Sequence, residues 1–175
     1  MIRRFEDKTP QIDPSAWVDE TALVLGDVVI GPQSSVWPMT VMRGDVQAIR
    51  IGARSNIQDA SVLHVSHDHP RVPGGLGLTV GDDVTVGHKV ILHACTVHDR
   101  VLVGMGSIVM DGAVIEPDTL LGAGTLVSPG KRLEGGALYV GSPARRVRSL
   151  TDEERAFLRY SAEHYVRLMG RHRAG

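Results

Sequence analysis

The sequence predicts an all-β solenoid, a parallel β-helix of hexapeptide repeats closed by a C-terminal α-helix. Three observations predict it. Aliphatic residues recur every six positions through most of the 175-residue chain. Glycines number 20, whereas aromatic residues are restricted to two Trp, three Tyr and two Phe. After Gly141-Ser142-Pro143-Ala144-Arg145 the six-residue period gives way to helical spacing.

The repeat runs through Val24, Ile30 and Val36, then Ile51, Ile57 and Leu63, then Val80, Val86 and Leu92. It resumes at Val97, Val103, Val109, Ile115, Leu121, Val127, Leu133 and Tyr139. A period this short, kept this long, marks a hexapeptide solenoid. Each hexapeptide supplies one short strand and one turn, with its leading aliphatic residue inside. Three hexapeptides, about 18 residues, complete a rung. Glycine after the inward residue, as at Gly52, suits a corner where a side chain would crowd the turn or φ is positive. An interior filled by Val, Ile and Leu favours strands over helices.

The coil is expected over residues 1–145. Its spacing is loose between Val36 and Ile51, and one residue is missing between Leu92 and Val97. Between Leu63 and Val80 a Pro- and Gly-rich excursion loop is expected at about 69–79. Residues 146–175 should form a linker and an amphipathic helix. Thr151 and Glu154 make a capping box, and Leu158, Ala162, Tyr165, Val166 and Met169 follow at helical spacing. That apolar stripe should pack on the coil or on a neighbouring subunit.

Composition excludes several function classes. A net charge of -1 provides no field for nucleic acid or an anionic membrane. The basic runs at Arg145–Arg148 and Arg171–Arg173 read as solvated ends. Cys95 has no intrachain disulfide partner and reads as a small inward-packed residue. No window approaches the roughly 18–20 apolar residues of a membrane span. The opening MIRRFEDKT lacks the apolar run of a signal peptide, so a cytoplasmic protein is expected.

His88 and His93 pose a geometric problem. Five residues place two side chains on a common face of neither a helix nor a strand. Counting rungs resolves it. Leu63, Val80, Val86 and Leu92 lead successive hexapeptides, so Leu92 lies one full rung beyond Leu63. His64 and His93 therefore stack on one side, about 4.8 Å apart along the rungs. They could share a zinc ion with Zn–N distances of about 2.0–2.1 Å. His88 falls on another side. A neighbouring chain could present its own His88 to the pair, and a threefold arrangement would close after three such contacts. Surface histidines without a ligand are the alternative, which the shared register disfavours.

Arg43–Val46 (RGDV), Asn56–Asp59 (NIQD), Val62–Val65 (VLHV), VGHKVILHAC and Val101–Ser107 (VLVGMGS) together resemble the gamma-class carbonic anhydrase-like family of left-handed β-helix proteins. The resemblance is closest to the small bacterial members and spans nearly the whole chain. It implies a homotrimer with an interfacial metal, normally zinc, with iron as the alternative. It makes His64 and His93 of one subunit and His88 of the next the metal ligands. Arg43 and Asp45 fall on the family's intersubunit salt bridge, and Gln58 on the residue that hydrogen-bonds metal-bound solvent. The register puts Gln58 on the side of His88, one rung earlier.

The chain departs from the archetype at Val46 and at His67, where the archetype carries glutamates. His67 stands at the proton-shuttle position and is a candidate shuttle, since an unperturbed imidazole titrates at about 6.5. Tyr160 and Tyr165 are candidates to reach the site from the final helix. The leading functional reading is a lyase of the carbonate dehydratase type. Three neutral imidazoles and an open position would let zinc lower the pKa of bound water to about 7, giving a hydroxide that attacks carbon dioxide. The alternatives are a metal-dependent acyl-CoA thioesterase or other hydrolase on the same scaffold, and a catalytically weak metal-binding trimer. A hexapeptide acyltransferase is disfavoured by the three-histidine pattern.

Overall fold

The computed structural model describes residues 1–174. It is a left-handed parallel β-helix whose short strands stack in three columns, the sides of the coil. The first side carries the leading residues of Val41–Ile51, then Val62–His64, Ile91–His93, Ile108–Val109 and Leu126–Val127. The second carries Ser35–Val36, Asn56–Ile57, Thr85–Val86, Leu102–Val103 and Leu120–Leu121. The third carries the trailing residues of Val41–Ile51, then Leu78–Val80, Thr96–Val97, Val114–Ile115 and Arg132–Leu133.

The inward positions are those the six-residue period picks out. Leu63, Leu92, Val109 and Val127 line the first side, Ile57, Val86, Val103 and Leu121 the second, and Val80, Val97, Ile115 and Leu133 the third. Each is essentially removed from water, which stabilises the coil by about 1.5–3 kcal/mol per side chain. Cys95 joins this core, and burial pushes its thiol up to about 12, so it stays protonated and unreactive.

The irregular stretches take definite forms. Met42, fully buried opposite Leu63, fills the gap between Val36 and Ile51. Beyond it the strand bulges: Gly44 pairs Gly26 and Ile49 pairs Val28, so Asp45–Ala48 stand opposite Asp27 alone. The excursion starts earlier than the 69–79 expected from composition and also ends earlier. The chain leaves the coil after His64, an antiparallel bridge between Ser66 and Leu76 closes the neck, and Leu78 is already back in the core. Leu78-Thr79-Val80 alternates in and out as a strand does, which takes Leu78 and Thr79 out of the loop.

The expected linker after Arg145 is instead a strand, Arg145–Ser149, antiparallel to Ala137–Val140. The helix Asp152–Ala174 follows it. Thr151 and Glu154 cap each other reciprocally: Thr151 N donates to Glu154 Oε2 at 2.9 Å and Glu154 N to Thr151 Oγ1 at 3.1 Å. Leu158, Ala162 and Met169 are buried against the chain's own second side. At the far end His172 packs on Trp17 and Trp37, and Arg173 donates to the carbonyls of Pro14 and Ser15. Among the described residues no helix is long and apolar enough to cross a membrane.

Candidate metal centre

His64 and His93 are paired across adjacent rungs of the first side. Their facing nitrogens, His64 Nδ1 and His93 Nε2, are 3.1 Å apart. Two ligands of a tetrahedral zinc at about 2.0–2.1 Å lie about 3.3–3.4 Å from one another, so the pair, at hydrogen-bond distance here, would need to part only slightly to share a metal. His88 lies on the second side, as the register dictates. Among the described residues of one chain, no group of three metal-binding side chains converges.

Behind each of these three rings stands a carboxylate. His64 Nε2 is 3.2 Å from Asp45 Oδ1, His88 Nδ1 is 2.8 Å from Asp59 Oδ2, and His93 Nδ1 is 2.6 Å from Asp111 Oδ1. A carboxylate on one nitrogen orients an imidazole and raises the basicity of the other, the arrangement that metal-ligating histidines adopt. Among the described residues, no other histidine has a carboxylate partner. Burial holds the His64 ring below its ordinary pKa, with Arg43 and His93 adding to the effect against Asp45. The neutral ring that a metal needs is thereby favoured. Imidazole nitrogens are donors that suit zinc and iron among other transition metals.

The remaining candidates fall at different distances from this pair. Arg43 and Asp45 meet each other within the chain, an ion pair that also touches His64 through Asp45. Burial raises the Asp45 carboxyl, but hydrogen bonds from Arg43 and His64 and the Arg43 charge outweigh it, and the net shift is downward. Gln58 is buried on the second side, its Nε2 donating to Asn56 Oδ1 at 3.0 Å. His67 is exposed on the excursion loop, where its ring stacks near His69. Tyr165 shares a groove with Gln58 and His88, and burial together with Asp59 raises its phenol pKa. Tyr160 points outward under the Arg167 guanidinium.

No family model matches the chain. Individual relatives do. Protein YrdA of Escherichia coli is 53% identical over 167 residues, covering 95% of this chain and 91% of its own. Carbonic anhydrase of Geobacillus kaustophilus is 45% identical, covering 88% and 81%. Mitochondrial gamma carbonic anhydrase 1 of Arabidopsis thaliana is 42% identical over 96% of this chain and 61% of its own. A crystal structure of a hexapeptide transferase family protein from Anaplasma phagocytophilum superposes with a TM-score of 0.88 at 41% identity, covering 96% and 95% of the two chains. The chain belongs to the gamma carbonic anhydrase-like family of hexapeptide-repeat proteins.

As a gamma carbonic anhydrase-like coil, the molecule has three unequal outer surfaces. On the His64–His93 side the outward positions Leu23, Val41, Val62, Ile91, Ile108 and Leu126 form an unbroken aliphatic ladder. Val62 and Ile91 flank the histidines and are about 40% exposed. The His88 side presents Leu102 and Leu120, which with Met105 and Phe157 line an apolar groove of about 400 Å³ that starts at Gln58 and His88. The third side alternates differently: Arg50, Thr79, Thr96, Val114 and Arg132 face out.

Proposed function

We propose that the chain is a metal-dependent carbonic anhydrase-like enzyme that catalyses reversible hydration of carbon dioxide at sites shared between the subunits of a homotrimer. The observation that carries the reading is the His64–His93 pair, two carboxylate-backed imidazoles close to ligand spacing, with the similarly backed His88 on another side. A third ligand must then come from a neighbour. The aliphatic ladder on the first side and the apolar groove beside the helix on the second favour a closed ring, which buries both and leaves the polar third side in water. The subunit contacts also bring Arg43 and Asp45 to the interface in this reading.

His64 and His93 of one subunit and His88 of the next would hold zinc, with iron as the alternative. When bound, such an ion supplies Lewis acidity, enough to lower the pKa of a coordinated water to about 7. Asp45, Asp59 and Asp111 hold the three rings in their ligating orientation. Gln58 enters with the His88 side and orients the small substrate through its amide. His67, exposed on its loop, carries the proton to solvent.

The apolar groove favours a second reading. It is far larger than carbon dioxide needs and suits the acyl part of a thioester, so a metal-dependent hydrolase is the alternative. One preparation tests both: metal content per chain, exchange of carbon dioxide with bicarbonate, and acyl-CoA hydrolysis, each repeated on His93→Ala. The first reading requires metal and hydration, both lost in the variant. Metal with thioester hydrolysis alone would replace it by the second, and fully metallated protein with neither activity would leave a metal-binding trimer.

A further inference from the structure

A chain of buried hydrogen bonds joins the C-terminal helix to Gln58. Ser161 on the helix, Thr85, Asn56 and Gln58 are all at least nine-tenths buried. Ser161 Oγ is 2.9 Å from Thr85 Oγ1, Asn56 Nδ2 donates to Thr85 Oγ1 at 3.1 Å, and Gln58 Nε2 donates to Asn56 Oδ1 at 3.0 Å. Thr85 and Asn56 are cross-strand partners on the second side, beneath the helix.

The order of donors is fixed by chemistry. Asn56 Nδ2 also donates to the carbonyl of Val84 at 3.3 Å, and a backbone carbonyl can only accept. Turning the Asn56 amide over would set its oxygen against that carbonyl. Its Oδ1 must therefore face Gln58, which in turn commits the Gln58 amide nitrogen to Asn56. The Gln58 carbonyl is left to face away from Asn56 as an acceptor. The Val84 carbonyl and Thr85 Oγ1 anchor the Asn56 amide nitrogen together, and Thr85 is held in turn by a serine on a helix remote in sequence from the coil residues it contacts.

We propose that Ser161 and Thr85 are positioning residues: the C-terminal helix locks the Gln58 side chain with its carbonyl turned outward, as a hydrogen-bond acceptor at the site. The catalytic consequence rests on the carbon dioxide reading above; the lock itself does not. The helix is then part of the site's machinery, although it supplies no metal ligand.

The experiment uses the full chain carrying Thr85→Val, Thr85→Ser or Ser161→Ala. Side-chain amide signals of Gln58 and Asn56 are followed by NMR in metal-free protein, and hydration kinetics in metal-loaded protein. Thr85→Val should shift the Gln58 amide signals and speed their exchange with solvent, Ser161→Ala should do so less, and Thr85→Ser should restore the wild-type spectrum. Loss of one such hydrogen bond should lower kcat by roughly three- to tenfold with KM little changed, and Thr85→Ser should recover it. Gln58 signals unmoved in both Thr85→Val and Ser161→Ala would overturn the lock. Should Thr85→Val fail to fold, Ser161→Ala decides alone. Shifted signals in a protein without hydration activity would keep the lock and remove the carbon dioxide reading, so the two failures are distinguishable.

Discussion

Asp111 Oδ1 lies 2.6 Å from His93 Nδ1, one rung further along the coil, on the side of the ring opposite His64. This contact fixes which nitrogen His93 offers to its partner. Removing such a carboxylate typically lowers metal affinity 10–100-fold. Asp111→Ala should therefore fold normally and bind zinc about 10–100-fold more weakly, as measured by competition with a chelator. An unchanged affinity would mean that Asp111 does not orient a metal ligand.

The aliphatic ladder beside that pair makes a second prediction. Ile91 faces outward, so Ile91→Lys leaves the core untouched, but in a trimer it places an unpaired charge between subunits. That costs several kcal/mol of association, and sedimentation should show monomers. Val114→Lys, on the polar third side, should remain trimeric. If both variants keep the wild-type mass, or if the wild type is itself a monomer, the closed ring is wrong.

Counting rungs makes much of this arrangement legible in the sequence. It gives the inward residues, the three sides, and the stacking of His64 on His93. The same count reaches two carboxylates that the motif reading passes over: Asp59 stands to His88 as His64 stands to His93, and Asp111 follows His93 by one rung. Asp45 is different. It lies two residues beyond Arg43, the strand partner of His64, in the loosely spaced stretch where a bulge follows and a fixed period cannot be counted. Composition marks the excursion loop but not its neck, since the Ser66–Leu76 bridge is a backbone pairing with no side-chain signature. The strand Arg145–Ser149 is hidden for a related reason. Its RRVRS sequence is exposed throughout and has no inward face to announce it. Helical spacing identifies Ser161 as near the buried stripe, yet only the fold sets it against Thr85.

Close packing at the corners can be tested independently of function. Gly52 has an ordinary negative φ, so crowding alone demands glycine there. A Cβ at this position would stand 2.6 Å from the Gly81 carbonyl oxygen and also strike the Asp82 carboxylate. Backbone in the next rung cannot move aside without unpairing its strand. Gly52→Ala should destabilise the coil by about 1–3 kcal/mol, as overpacking does, measured by denaturant unfolding. Gly106→Ala meets no neighbouring atom, and only its positive φ makes it costly, by about 1 kcal/mol. Equal losses at the two sites would argue against the tight corner.

The helix start supplies a pH prediction. Glu154 accepts paired hydrogen bonds from Arg148 and another from the Thr151 amide, and together these hold its carboxyl down at about 2. A depressed carboxylate pKa stabilises the folded form above the unfolded value of about 4.3. The contribution is lost as pH falls from there towards 2, because protonation then occurs against the Arg148 pairing. Amide exchange at Glu154 and Arg155 should therefore stay slow relative to the unfolded chain down to about pH 4 and lose protection below it. Glu154→Gln should abolish that pH dependence by removing the titrating group, while the inward side chains of the coil keep their protection. Loss of protection in the coil at the same pH would show instead that acid unfolds the whole molecule at once and that the cap has no separate transition.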